Sequence, residues 1–577
     1  MPAPGFQALI LCGPGVSLDT FTSSPKDFPK ALVPIANRPM VWYPLEWCYR
    51  MGITNITLIT PPESAEALEA ALSQNPHLTS LPSPKPDVLA PEDLTQTTGT
   101  GELFRIKEVQ DIIEGDFIVL PCDLVCELDG ASLLESWMIE QGGLGGATGG
   151  KGNNNFIPMS TGGEKSGRRG GMGVWYQTKG EHAVKGEETD FIATTPLPKS
   201  VVPPHSGSLR PSLANLVYSI PTDVLNDITE TKNFPIRHTL LKKHGRVRML
   251  TTTRDSHVYF FPYWVLDMIK KNEKFDSLSD ALGWWAKAGW QSGLGEKLGL
   301  GEILRPSESE DGDDIMAATS ILQDDIDIAS LSSTFQHKVN AGEPQPIFAS
   351  RVVDPDGPSL QVTPPDVEPN LEVPPIIAYV QPTQPSAPFI RRVDTAALLL
   401  NVSLRLAKLP SIEEAGKGAA SPFAHPAKIA HPDTVPKRCR VEAENSLIAE
   451  NVIIEEKCNI KESVIGANCK IGTGARLQRC LLMDGAEVGE NCQLTGCILG
   501  RRCKIEGGPA KSEEKTILKD CEVQESHVVE WGSKFPEVSI PAEEWKDEKF
   551  KRFGGDLDED DGEDAFGEDD PMNDMMA

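Results

Sequence analysis

A run of about 18 apolar residues, the length that marks a membrane-spanning helix, occurs nowhere in the 577-residue chain. Met1 to Phe6 lacks the basic start and apolar stretch of a secretory signal, so a cytosolic (cytoplasmic) protein is expected. Positive charge is scarce. The 55 Lys and Arg residues face 84 Asp and Glu, a formal net charge of −29, which argues against a general binder of nucleic acid or anionic membrane. The deficit is concentrated: residues 306–327 hold eight acids and no base, and residues 556–577 hold eleven acids and no base. CxxC spacing is missing from the cysteine-rich region 439–521, which removes the common zinc signature. The twelve cysteines are scattered and read as reduced thiols.

What is present is enough for two or three domains with a large core: 39% hydrophobic and 24% charged residues describe a mostly globular chain. The opening reads as α/β. Gln7 to Cys12 is a short apolar strand running into a glycine loop, and Pro39 to Met51 has the spacing of a helix with one buried face and proline in its first turn. Gly52 closes that helix, Ile53 to Thr60 is the next strand, and Asp116 to Leu120 is a later one ending at Pro121, Cys122 and Asp123. Strand, helix, strand in this order predicts a doubly wound, mainly parallel sheet.

Composition then divides the chain. Residues 142–173 hold 13 glycines and read as an excursion from the first domain, 1–305. An acidic insert is expected at 306–343, and a linker or surface wrap at 344–388, where 12 of 45 positions are proline. Within that wrap, Ile376 to Val380 has the makings of an added strand, and in the connecting segment 389–435 Ala396 to Leu406 reads as a short helix. The end, 541–577, is expected to be an acidic disordered tail.

The clearest pattern is a repeat of 17 residues from Ser446. Aliphatics fall at Ile448, Ile454, Ile460, then Ile465, Ile471, Leu477, then Leu482, Val488, Leu494, then Leu499 and Ile505, spaced six, six, five. Three short strands per coil, each turning one aliphatic inward, predict a three-sided parallel β-helix of the hexapeptide type over 436–535. Cys458 and Cys492 share one repeat position, as do Cys469 and Cys503, and they read as small packing residues. The coils 446–508 contain no His, which excludes an acyltransferase built on such a solenoid.

The segment 7–46 resembles the signature of sugar-1-phosphate nucleotidyltransferases. The residues that carry the resemblance are Gly13 and Gly15, Pro29 and Lys30, then Pro34, Ile35, Pro39 and Met40, with Thr98-Gly99-Thr100-Gly101 similar to the second nucleotide loop and Asp123 similar to the strand-end metal aspartate. The resemblance implies a Rossmann-like domain whose Gly13, Gly15, Lys30, Gly99, Gly101 and Asp123 mark a nucleotide pocket. A left-handed β-helix after it is also implied by the family.

The chemistry is incomplete. Nucleotidyl transfer needs backbone N–H donors, positive charge on the triphosphate and usually a metal held by two carboxylates. Val16 and Ser17 stand where the family has Thr-Arg, Pro14 removes a donor, and Asp19 adds a negative charge. The Glu-Lys-Pro motif and the late Trp-x-Asp-x-Gly aspartate are absent. Each lost preorganised contact costs about 2.7–4 kcal/mol of barrier, so the fold is expected without the catalyst and no cofactor is expected. Gly13 and Gly15 fit either a tight turn or a residual cradle, Lys30 either a carboxylate partner or a phosphate ligand, and Asp123 either a turn residue or a lone metal ligand.

The opening PKALVPIANRPM, with the degraded loop before it, resembles the gamma-subunit family of eukaryotic translation initiation factor 2B. Tyr379, Arg392, Val393, Asp394, Thr395 and Asn401 match its segment before the solenoid. The resemblance implies a non-catalytic structural and regulatory subunit of a guanine nucleotide exchange factor. It would pair with the epsilon subunit, assemble with alpha, beta and delta subunits, and contact the substrate, initiation factor 2, with no direct nucleic acid or membrane contact. The epsilon subunit's further helical domain is not expected here. The alternative is a sugar-1-phosphate nucleotidyltransferase or its inactive regulatory subunit of the mannose-1-phosphate guanylyltransferase type. Trp42, Trp47, Trp284 and Trp285 are candidates either for partner contacts or for the core.

Overall fold

The computed structural model describes residues 6–13, 16–141, 170–304 and 373–535, apart from residues 96, 181–182, 198–203, 206, 232–235, 385, 417 and 510–514. Gly15, most of the glycine-rich stretch, the acidic insert 306–343, the proline-rich residues up to 372 and the tail 541–577 lie outside the described residues.

The first domain is built on a mixed nine-stranded sheet. Gln7–Leu11 (β1), Asn55–Ile59 (β2), Asp87–Leu89 (β3) and Phe117–Pro121 (β4) pair in parallel. All five residues of β4 and four of β1 are buried, as expected for parallel strands covered on both faces. The remaining strands are Met172–Gln177 (β5), Asp190–Pro196 (β6), Leu213–Pro221 (β7), Arg248–Phe261 (β8) and Ile376–Val380 (β9). The order is β3-β2-β1-β4-β8-β5-β9-β7-β6. The long β8 pairs antiparallel with β4, β5 and β6, so this half of the sheet folds back on itself.

Strand β9 comes from the proline-rich stretch yet sits in the sheet interior, parallel to β5 and antiparallel to β7. Its residues Ile-Ile-Ala-Tyr-Val include no proline, so every N–H can join the ladder. The domain's sheet therefore takes a strand from beyond residue 305.

The helix expected from Pro39 begins at Trp42 and runs to Met51, with Pro44 in its first turn. Arg38–Pro39 instead pairs with Pro34–Ile35, a hairpin that Ala36 and Asn37 close at φ of 46° and 65°. Trp42, Trp47 and Trp285 are 8%, 0% and 1% exposed, so of the two roles open to them from the sequence they take the core one.

The solenoid matches the repeat. Its short strands stack into three parallel sheets of six, five and five strands, and Ile448, Ile465, Leu482 and Leu499 lie in register in one of them. Non-glycine corners such as Asn451, Asn468 and Asn491 take positive φ, a conformation Asn tolerates better than most residues. Cys458, Cys469, Cys492 and Cys503 are buried in the coil core, and all twelve cysteines are free. The helix Ala396–Lys408, capped by the Thr395 side chain, buries Leu399, Val402 and Leu406 between the solenoid and the first domain. No described helix is long and apolar enough to cross a membrane.

Candidate functional site

The site expected from the sequence lies where β1 and β4 end side by side. The Cys12 amide donates to the Ile59 carbonyl at 2.8 Å and the Cys122 amide to the Leu11 carbonyl at 3.1 Å, which sets Gly13 and Asp123 beside each other at the strand ends. In open α/β sheets this is the usual location of a ligand crevice.

Here the crevice is filled by charged side chains of the chain itself. Lys30, opening a short 3-10 turn, places its Nζ 2.7 Å from Asp123 Oδ2. The strand Ile390–Arg392 pairs antiparallel with Leu124–Cys126 and brings Arg392 Nε within 3.4 Å of Asp123 Oδ1. The Val393 amide donates to the Asp123 carbonyl at 2.8 Å. Both carboxylate oxygens thus face a cation. Burial alone would push the Asp123 carboxyl up, but Lys30 and Arg392 outweigh it and hold the group well below the usual carboxylate range. Burial pulls Lys30 down, and Asp123 more than reverses that.

The network extends outward from Arg392. Its guanidinium, a donor only, lies 3.3 Å from His257 Nε2, which therefore accepts. Burial, reinforced by Arg392, holds His257 well below its ordinary value. His257 sits at φ 56° where the β8 register shifts. Arg392 also reaches Asp394, which holds Arg254 at 2.7 Å, and Arg254 reaches Glu188 at 2.8 Å. Behind it Asp255 accepts from the Tyr259 hydroxyl at 2.5 Å and its own amide donates to Asp190 at 2.6 Å. Burial, then the neighbouring Asp190 charge, push the Asp255 carboxyl up to about 7.

The family chemistry would need a divalent metal at Asp123, and these residues do not fit one. Its oxygens are already engaged by two cations, and no group of three or more His, Cys, Asp or Glu suited to a metal occurs among the described residues.

Of the six pocket residues read from the sequence, Lys30 and Asp123 touch, and Gly13 is exposed, with open space where a side chain would start. Gly15 lies outside the described residues. Gly99 and Gly101 pack flat on another loop: a Cβ on either would fall 2.1 Å from the Asp276 carbonyl oxygen or 2.2 Å from that of Phe275. The Gly101 amide donates to Asp276 and the Thr100 hydroxyl accepts from the Leu278 amide. Sequence reasoning missed Arg392 as a site residue, along with Arg254, Asp255 and His257. In the sequence Arg392 and Asp394 stand out only as anchors of the resemblance.

The PIANRP stretch, residues 34–39, joins domains. The Ala36 amide donates to Ser403 Oγ at 3.2 Å, and Asn37 Nδ2 to the Ile465 carbonyl of the solenoid at 2.9 Å. Arg38 donates to the carbonyls of Phe423 and Ala424 at 2.9 and 2.8 Å and lies over the Trp42 ring.

Comparison with known proteins agrees with both halves of this architecture. Residues 13–154 match the Nucleotidyl transferase family model, and residues 431–530 match the model of the EIF2B subunit epsilon LbH domain, a left-handed β-helix. A curated relative, translation initiation factor eIF2B subunit gamma of Schizosaccharomyces pombe, is 26% identical over 276 residues. That match spans 47% of this chain and about half, 49%, of the relative. The resemblance to the gamma-subunit family read from the sequence is upheld.

Proposed function

We propose that this chain is a non-catalytic structural and regulatory subunit of a guanine nucleotide exchange factor for initiation factor 2. The observation that carries the reading is the union, in one chain, of a nucleotidyl transferase match, an epsilon-type β-helix match and a gamma-subunit relative. In this reading the chain works in the cytoplasm, pairs with an epsilon-type subunit, joins alpha, beta and delta subunits, and helps present initiation factor 2 so that GDP leaves faster. It contacts no nucleic acid or membrane directly.

The site geometry supports the non-catalytic part. A transferase would keep its carboxylate for a metal and its cations for phosphates. Lys30 and Arg392 are instead turned on Asp123, and Gly99 and Gly101 pack on the Phe275–Asp276 backbone, so the nucleotide pocket expected from the sequence is read as vestigial. The packing supports the scaffold. Phe21 and Phe28 of the first domain share one apolar cluster with Phe423, Leu447, Val464 and Leu481, so two partners docked on different domains would be held at a fixed separation.

Two assays test the reading. The purified chain, given GTP, a sugar-1-phosphate and Mg²⁺, should release no pyrophosphate above a blank. Added to an epsilon-type subunit, it should speed GDP release from initiation factor 2. Turnover by the chain alone would overturn the first part, and unchanged GDP release the second.

A further inference from the structure

The strongest unexplained surface feature is a cationic patch on a chain of net charge −29. Between Ile236 and Met249 the sequence carries Arg237, Lys242, Lys243, Arg246 and Arg248, with His238 and His244, and no acid. The segment folds as the short helix His238–Lys243 followed by the start of β8. Leu240 anchors it by packing with Trp290 and Val217. Lys242, Lys243, Arg246 and Arg248 are exposed, and among the described residues none of the five cations has a carboxylate partner. Three large apolar side chains stand among them: Ile236 and Leu241 at 51% exposure and Met249 at 38%. Like charges gathered on one face repel, and exposed apolar groups beside them cost further free energy, so a surface of both kinds fits an acidic, apolar-studded occupant.

The chain contains such an occupant. Residues 306–327 hold eight acids and no base, interspersed with Ile315, Met316, Ile321, Leu322 and Ile326. The last described residue before them, Leu304, belongs to an apolar cluster that Trp284 joins to the cluster of Leu240. Lys243 Nζ donates to the Gly289 carbonyl, and Trp290 packs with Leu240. The helices Leu294–Lys297 and Leu300–Leu304 follow directly, with Trp284 packed against both their cluster and that of Leu240. The first acid, Glu308, comes four residues after Leu304. A short tether raises effective concentration, whereas the other acid-only segment starts 21 residues after the last described coil residue, Phe535.

From this we infer that the face Ile236–Met249 is a docking surface for the chain's own acidic segment, residues 306–327. The contact is electrostatic at its rim and apolar around Leu241.

Zero-length carbodiimide cross-linking of the full-length chain, read by mass spectrometry, tests this. The expected result is Lys242 and Lys243 joined to carboxylates of 306–327. In a mixture of isotopically light and heavy chains, the links should stay within one copy. They should fall severalfold between about 0.05 M and about 1 M salt, where the screening length shrinks to about 3 Å. They should fall likewise in an Arg246→Glu/Arg248→Glu variant, whose changed side chains are exposed and whose melting temperature should match that of the parent. Links that are absent, salt-insensitive, directed to 556–577, or formed between copies would overturn the inference. So would protection of Lys242 and Lys243 from acetylation only when a single-stranded oligonucleotide is added.

Discussion

Lys30 Nζ and Asp123 Oδ2 lie 2.7 Å apart, with 12% and 1% of their side chains exposed. The two residues stand at the ends of different elements, and the same carboxylate is shared with Arg392 from a segment 269 residues further on. A pair that would serve phosphate and metal in a transferase here ties the strand ends of the first domain to the segment leading into the solenoid.

Breaking one side of a buried ion pair leaves the other charge stranded, which typically costs about 3–5 kcal/mol. Lys30→Met should therefore lower the unfolding midpoint of the first domain strongly, and Arg392→Met should do the same. Asp123→Asn added to Lys30→Met should cost less than the sum of the two single losses, because the Lys30–Asp123 interaction is already gone in either single variant, while Arg392 keeps Asp394. Chemical denaturation of these variants, with Asp123→Asn alone beside them, measures this, and additive losses would contradict it.

Stability should carry a pH signature from Asp255. Its folded value of about 7 lies above the 3.8 of an unperturbed Asp. Folding therefore takes up a proton between those values, and the associated stability, complete below about 4, is lost as pH rises through about 7. The slope for one proton is at most about 1.4 kcal/mol per pH unit. Asp255→Asn keeps a neutral group in place, so the difference between parent and variant stability should change across pH 4–7 and level off above it. A difference that is flat with pH would contradict the assignment.

The two glycine loops predict opposite outcomes. A Cβ added to Gly13 would meet nothing within 4 Å, so Gly13→Ala should change stability by no more than about 0.5 kcal/mol. Gly99→Ala would drive a methyl to 2.1 Å from the Asp276 carbonyl oxygen. That variant should melt markedly lower, or fail to accumulate as soluble protein. Equal melting temperatures for the two would contradict the packing role given to Gly99.

Arg38 holds two carbonyls of the segment before the solenoid. Arg38→Ala leaves those buried acceptors without their donor, at about 1–3 kcal/mol each. Hydrogen exchange of amides near Phe423 and in the first solenoid coils should quicken, while β1 and β4 exchange as before. Unchanged exchange near Phe423 would contradict the clamp.

The solenoid was legible in the sequence because its contacts repeat every 17 residues, so the pattern that marks the inward side chains also fixes which strands are neighbours. The parallel start of the sheet was legible because β1, the helix Trp42–Met51 and β2 each carry their own local apolar pattern in strand, helix, strand order. What the sequence left open depends on distant partners. The apolar run Ile376–Val380 was visible as a strand, but nothing local assigns it to the gap between β5 and β7. Arg392 was visible beside Asp394, yet its partner Asp123 is set by pairing of 390–392 with 124–126. Gly99 and Gly101 carried the look of a phosphate loop because close backbone approach needs glycine whether the approaching group is a phosphate or the carbonyl of Asp276.

The proposed role is that of a non-catalytic member of a heteromeric exchange factor. Native mass spectrometry of the endogenous complex, isolated through this chain, tests it most directly. The account predicts a heteromer that contains an epsilon-type subunit carrying its own β-helix. A homo-oligomer, or a pairing with an active sugar-nucleotide pyrophosphorylase, would contradict it.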